Sequence, residues 1–222
     1  MKKIAKIVGG GAVAGFVLAA AVFLTFVLSG VPTRGPRIGH YAHPRKALLV
    51  VDVQEDFIGT TCPPTRKYKN SDALIATINK TIEVSRARNY PVVYIRQEYE
   101  GLWARTIAKT LFGGRGLPGR PGTQIDKRVA VVSDAIFPKR IGDAFSNPSL
   151  SDFLVKNQVD ELILTGLDAQ HCVHATARGA LNRGYKVTAV TDALALMAEN
   201  KWDALMKDYR EEGILLTSSG AL

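Results

Sequence analysis

Only two cysteines, Cys62 and Cys172, occur in the chain. That scarcity excludes a disulfide framework and a cysteine-built zinc site, and leaves room for one bridge at most. Acidic residues are missing from the first 46 positions, which carry seven Lys/Arg, whereas the other 176 residues hold 22 basic and 20 acidic groups. The net charge of +9 therefore sits largely at the N-terminus. The remainder is nearly neutral, and nothing in its charge calls for a nucleic-acid partner. Internal repeats and low-complexity tracts are also absent.

What is present begins with an apolar run, Ile7–Leu28, of 22 uncharged residues. As a helix it would measure about 33 Å, close to a bilayer core of about 30 Å. A secretory signal has an apolar region of only about 7–15 residues. The expectation is an uncleaved single-pass anchor within residues 1–30, contacting membrane lipid, although Ser29 and Gly30 leave cleavage open. Lys2, Lys3 and Lys6 flank the run on one side, and Arg34, Arg37, Arg45 and Lys46 on the other. The short basic start favours an extracytoplasmic domain by a small margin. Residues 31–45, with three prolines and two glycines, read as a linker, and His40 and His43 within it read as unliganded.

From residue 46 to 222, short apolar runs alternate with helical periodicity. The expected strands are 47–51, 91–95, 129–132, 161–165, 186–190 and 214–217. The expected helices are 71–88, capped by Asn70 or Ser71, then 102–112, 149–156, 172–183 and 202–212. Strands apolar on both faces predict a six-stranded, mostly parallel, doubly wound sheet in an α/β/α three-layer domain. In that topology the first and fourth strands are neighbours where strand order reverses, and ligands bind beyond their carboxyl ends. Asp52 ends the first run and Cys172 follows the fourth, so residues 120 positions apart converge on one crevice. A thiol at a helix start is expected to have a lowered pKa, as a nucleophile requires. The Gly/Pro/Arg-rich loop 113–128 is long enough to form a lid or an edge.

Three segments, ALLVVDVQEDF (47–57), FPKRIGDAFSNPSLSDFL (137–154) and LILTGLDAQHCVHATARGALNRGYKVTAVTDAL (162–194), resemble the isochorismatase-like cysteine hydrolases. That family includes nicotinamidases and N-carbamoylsarcosine and ureidoacrylate amidohydrolases. The resemblance implies a catalytic Asp52–Lys139–Cys172 triad and a cis peptide between Leu167 and Asp168. It also implies an oxyanion hole formed by the backbone N–H groups of Asp168 and Cys172. Gln54 and Phe57 complete the aspartate's motif, and Gln54, Phe57, Arg96, Glu98 and Trp103 are expected to line the substrate site. Family members often form dimers or larger rings, which makes a homo-oligomer the corresponding expectation here.

Departures from the family pattern narrow the chemistry. Residues 92–109 contain no histidine, where metal-dependent nicotinamidases place their ligands, so neither metal nor cofactor is expected. Isochorismatases proper cleave a vinyl ether without a nucleophilic cysteine, and Cys172 points away from that reaction. Asp168 stands beside the expected oxyanion hole, either to contact a cationic or amide-bearing substrate or to stabilise the turn. His171 and Cys62 are expected to play no part. The expected function is hydrolysis of a small amide or ureido C–N bond through a cysteine thioester. The alternatives are a silent scaffold of the same fold and a hydrolase of an ester or ether-type bond.

Overall fold

The computed structural model describes residues 30–222, and the expected membrane segment lies outside the described residues apart from its last position. Among the described residues, no helix is long and apolar enough to cross a membrane. The strands are β1 (Arg45–Val51), β2 (Val92–Gln97), β3 (Ile136–Lys139), β4 (Val159–Gly166), β5 (Lys186–Leu194) and β6 (Leu215–Thr217). The α-helices are α1 (Ser71–Ala87), α2 (Leu102–Leu111), α3 (Pro148–Lys156), α4 (Cys172–Asn182) and α5 (Trp202–Glu211). The six strands form one sheet in the order β3-β2-β1-β4-β5-β6, all paired in parallel.

Alternation within β1 shows why its strand is apolar throughout. Leu48 and Val50 pack with Ile75, Ile78 and Ile82 of α1 on one face of the sheet. Ala47, Leu49 and Val51 pack with Leu150, Leu154, Val173, Ala177 and Tyr209 of α3, α4 and α5 on the other. Both faces are thus covered by helices, as a parallel sheet requires. Helix α2 buries only Ala108 and lies apart from these layers. Asn70 caps α1 by position, but its side chain makes no capping hydrogen bond.

The third strand is not where the apolar run predicted it. Residues 129–132 form a loop, and IFPK at 136–139 is the strand. Tyr94 Oη donates to Ala130 O (2.6 Å) and accepts from Val132 N, while Asn79 bonds Arg128 O and Ala130 N. Side chains thus take up the backbone groups that a neighbouring strand would have used. Pro138 within this strand is tolerated because β3 is the edge of the sheet.

The stretch 31–45 also departs from a free linker. Thr33 donates its N–H and hydroxyl to Asp143 Oδ2 (2.7 and 2.6 Å), and Thr33 O accepts from Asn182 and Arg183. Ile38 N donates to Arg183 O. Asp143 is fully buried, so these bonds offset the cost of taking a carboxylate out of water.

Candidate active site

Parallel topology delivers three chemically active side chains to the carboxyl edge of the sheet. Asp52 follows the last residue of β1, Lys139 is the last residue of β3, and Cys172 is the first residue of α4 after β4. Asp52 adopts a positive φ of 55°, the sharp turn that brings the chain off the sheet. At the same level, a Cβ on Gly166 would stand 2.1 Å from Val51 O. Only glycine permits β4 to approach β1 so closely there.

Lys139 registers beside Gln97 of β2, so its stem crosses one strand to reach β1. Its Nζ lies 2.9 Å from Asp52 Oδ2 and 3.2 Å from Cys172 Sγ. The ammonium also donates to Ile141 O (3.2 Å) and to Gln97 Oε1. Lys139 is completely buried and Asp52 nearly so, while Cys172 is half-buried. The structure therefore brings the three expected side chains into one cluster. A buried cation persists because every contact around it is an acceptor or a counter-charge.

Electrostatics correct one expectation. Burial pushes the Cys172 thiol up to about 12, against the pull of Lys139, and the neighbouring Asp52 raises it further. Desolvation thus outweighs the helix terminus, and the resting sulfur is a thiol, not the thiolate that a helix start suggested. Burial also raises the Asp52 carboxyl, although Lys139 and the Cys172 thiol oppose it. Burial pulls Lys139 down, but Asp52 and Cys172 more than reverse this and hold it firmly cationic. A carboxylate with raised proton affinity beside a protonated thiol is suited to exchanging a proton with it.

Above the sulfur, the chain forms a tight turn with a cis peptide between Leu167 and Asp168. The amides of Leu167, Ala169, Gln170, His171 and Val173 all donate to protein acceptors. Those of Asp168 and Cys172 have none among the described residues. Tyr209 Oη donates to Ala169 O at 2.6 Å and fixes the turn from α5. Two unused donors thus flank the thiol. The Asp168 carboxylate accepts from Gln170 N, Met197 N and Tyr68 Oη; its oxygens stabilise the turn.

The other expected site residues fall into two groups. Phe57 lines a cavity of about 190 Å³, together with Tyr68 and Tyr99. Gln54 is buried and spends its amide on Gln97 N, Gln97 O and Thr123 O, which knits β1, β2 and the 113–128 loop together. Arg96 and Glu98 pair with each other at 2.9 Å, and Arg96 also donates to Gln124; Glu98 meets Lys139 through its backbone N–H, which donates to Lys139 O, and not through its side chain. Trp103 is 43% exposed on α2 and does not line the cavity. His171 is exposed, and Cys62 is a free buried thiol.

Sequence reasoning missed Gln97, Tyr68, Tyr99, Arg66 and Arg115. Gln97 had a readable signal: a polar residue at the carboxyl end of a buried strand beside the switch point. The 113–128 loop forms a wall and not a free flap. Gly116 N donates to Asp56, Gly116 O accepts from Tyr99 N, and Gln54 bridges to Ile125.

Residues 46–220 match the family model described as the isochorismatase domain. The chain belongs to the isochorismatase family. A nicotinamidase of Arabidopsis thaliana is 26% identical over 164 residues, covering 72% of this chain and 78% of that one. An N-carbamoylsarcosine amidase of Arthrobacter is 28% identical over 127 residues, 52% of this chain and 47% of that one. Among solved structures, the N-carbamoylsarcosine amidase of Thermoplasma acidophilum superposes with a TM-score of 0.67 at 28% identity, covering 80% of this chain and 98% of that one.

Proposed function

We propose that this isochorismatase-family hydrolase cleaves the C–N bond of a small amide or ureido compound through a thioester on Cys172. The observation that carries this reading is the position of Lys139 Nζ, 2.9 Å from the Asp52 carboxylate and 3.2 Å from the Cys172 sulfur, beside two unused amides. The relatives named N-carbamoylsarcosine amidase and nicotinamidase support the same bond type.

In this mechanism Asp52 takes the thiol proton as sulfur attacks the carbonyl carbon. The developing oxyanion is received by the N–H groups of Asp168 and Cys172, an interaction worth about 2.7–4 kcal/mol per donor in such sites. Lys139 holds Asp52 ionised before attack and steadies negative charge on sulfur during it. The intermediate collapses, and the amine leaves with the proton from Asp52. Water then attacks the thioester, giving its proton to Asp52 while the carboxylic acid forms and the thiolate departs. Asp52 returns that proton to sulfur, which closes the cycle.

The test is ammonia or amine release from a panel of small amides by the full chain, with Cys172→Ala as its control. The expected result is turnover that the variant abolishes, together with an acyl adduct on Cys172 by mass spectrometry. Absence of both turnover and adduct would leave a silent scaffold. Turnover that survives Cys172→Ala would remove the thioester. The 22-residue apolar run supports a further proposal, that the domain is tethered to a membrane. Recovery in the soluble fraction after cell lysis, without detergent or proteolytic trimming, would overturn it.

A further inference from the structure

We propose that the substrate of this site carries a negative charge, taken up by the guanidinium groups of Arg66 and Arg115. The inference rests on the amidohydrolase reading above and specifies its substrate class. The cavity of about 190 Å³ has aromatic walls in Phe57, Tyr68, Tyr99 and Phe112, and both arginines line it. Tyr68 hydrogen-bonds Asp168, whose amide is one of the two unused donors. Cys172 and Asp52 lie within electrostatic reach of both Tyr68 and Tyr99. The cavity therefore adjoins the turn that carries the two unused amides.

Both guanidiniums lack a carboxylate partner among the described residues. Arg115 donates Nε to Phe112 O at 3.0 Å, which orients it and leaves its terminal nitrogens without an acceptor among the described residues. The nearby carboxylates do not cancel this charge by pairing with it. Asp56 is taken up by Gly116 N and Thr61, and Asp168 by backbone amides and Tyr68. Burial pushes Tyr99 up to about 12 and raises Tyr68 still further, so both phenols stay neutral donors and add no repulsion. Two unpaired guanidiniums at the rim of a small, flat-walled cavity match a carboxylate, which they can hold through charge-assisted bonds. The acyl group would then lie between that anchor and the thiol.

Two measurements on the full chain test this. The first compares kcat/KM for two pairs of amides, succinamate with butyramide and 3-carbamoylbenzoate with benzamide, in the native protein and in Arg66→Met and Arg115→Met. The anionic member of at least one pair is expected to be preferred, and each substitution to reduce that preference about 10-fold, mainly through KM. The second titrates benzoate into Cys172→Ala by calorimetry, where binding is expected to weaken when Arg115→Met is added and as salt rises. Amide turnover without an anionic preference, and without benzoate binding, overturns the substrate class and leaves the amidohydrolase reading standing. Benzoate binding that depends on Arg115, in a native protein that turns over no amide, supports the anion site and overturns the hydrolase. A preference or benzoate affinity that both arginine variants leave unchanged overturns the assignment to these residues.

Discussion

Cys62 lies in the connection that follows β1 and Cys172 at the start of the helix that follows β4, and burial raises the pKa of both thiols. Their partners differ in kind. Around Cys62 Sγ stand three carbonyl oxygens, those of Phe57 (3.3 Å), Arg66 (3.5 Å) and Pro63 (3.7 Å). Each is an acceptor, which favours the S–H and offers the proton nowhere to go. Around Cys172 stand an ammonium and a carboxylate, which the proposed mechanism uses to stabilise the anion and to receive the proton. Burial costs either sulfur its ionisation; the partner's sign decides whether that cost is offset in a transition state.

The sharpest way to break this comparison is to delete each thiol in turn. Cys172→Ala should lower kcat by at least about 10⁴-fold, whereas Cys62→Ala should leave it within about twofold, as measured by amine release. Equal losses would remove the distinction. Next in size, Asp52→Asn should cost about 10²–10⁴-fold. In the native protein kcat/KM should fall at acid pH as Asp52 takes up a proton, at a pH above that of an ordinary aspartate because burial raises it. No alkaline limb from the thiol should appear below about 12. Lys139→Met leaves the buried Asp52 without its counter-charge and should destabilise the fold by about 3–5 kcal/mol, measured by urea denaturation, with no comparable effect from Cys62→Ala. The smallest loss expected among the residues of the cluster is at Gln97→Ala, which removes one acceptor from the ammonium. That loss should slow turnover about tenfold, in line with a hydrogen-bond contribution of about 1–3 kcal/mol.

The layered fold was readable because β1, β4 and β5 are apolar on both faces, and that pattern has few other solutions. The third strand was not readable. Its four residues include a proline, while the more strand-like 129–132 is held as a loop by Tyr94 and Asn79, residues remote in sequence. Asp52 and Cys172 were legible from strand ends alone, and Lys139 through the resemblance. Position did not foretell the ionisation of Cys172, because desolvation depends on what the whole fold packs around the sulfur. Arg96 and Glu98 were expected to line the substrate site, yet their side chains pair with each other. Gln97, between them, points to Lys139 instead, an alternation that fixing the strand's register would have revealed. Arg66 and Arg115 lie in loops without periodicity, where spacing carries no signal.

The lashing of Thr33 and Ile38 to Asp143 and Arg183 has a directional outcome. Helix α4 starts at the sulfur and runs for 11 residues, roughly 16 Å, to Asn182, whose side chain donates to Thr33 O. The stretch 33–38 is thus moored at the end of the helix that lies away from the sulfur.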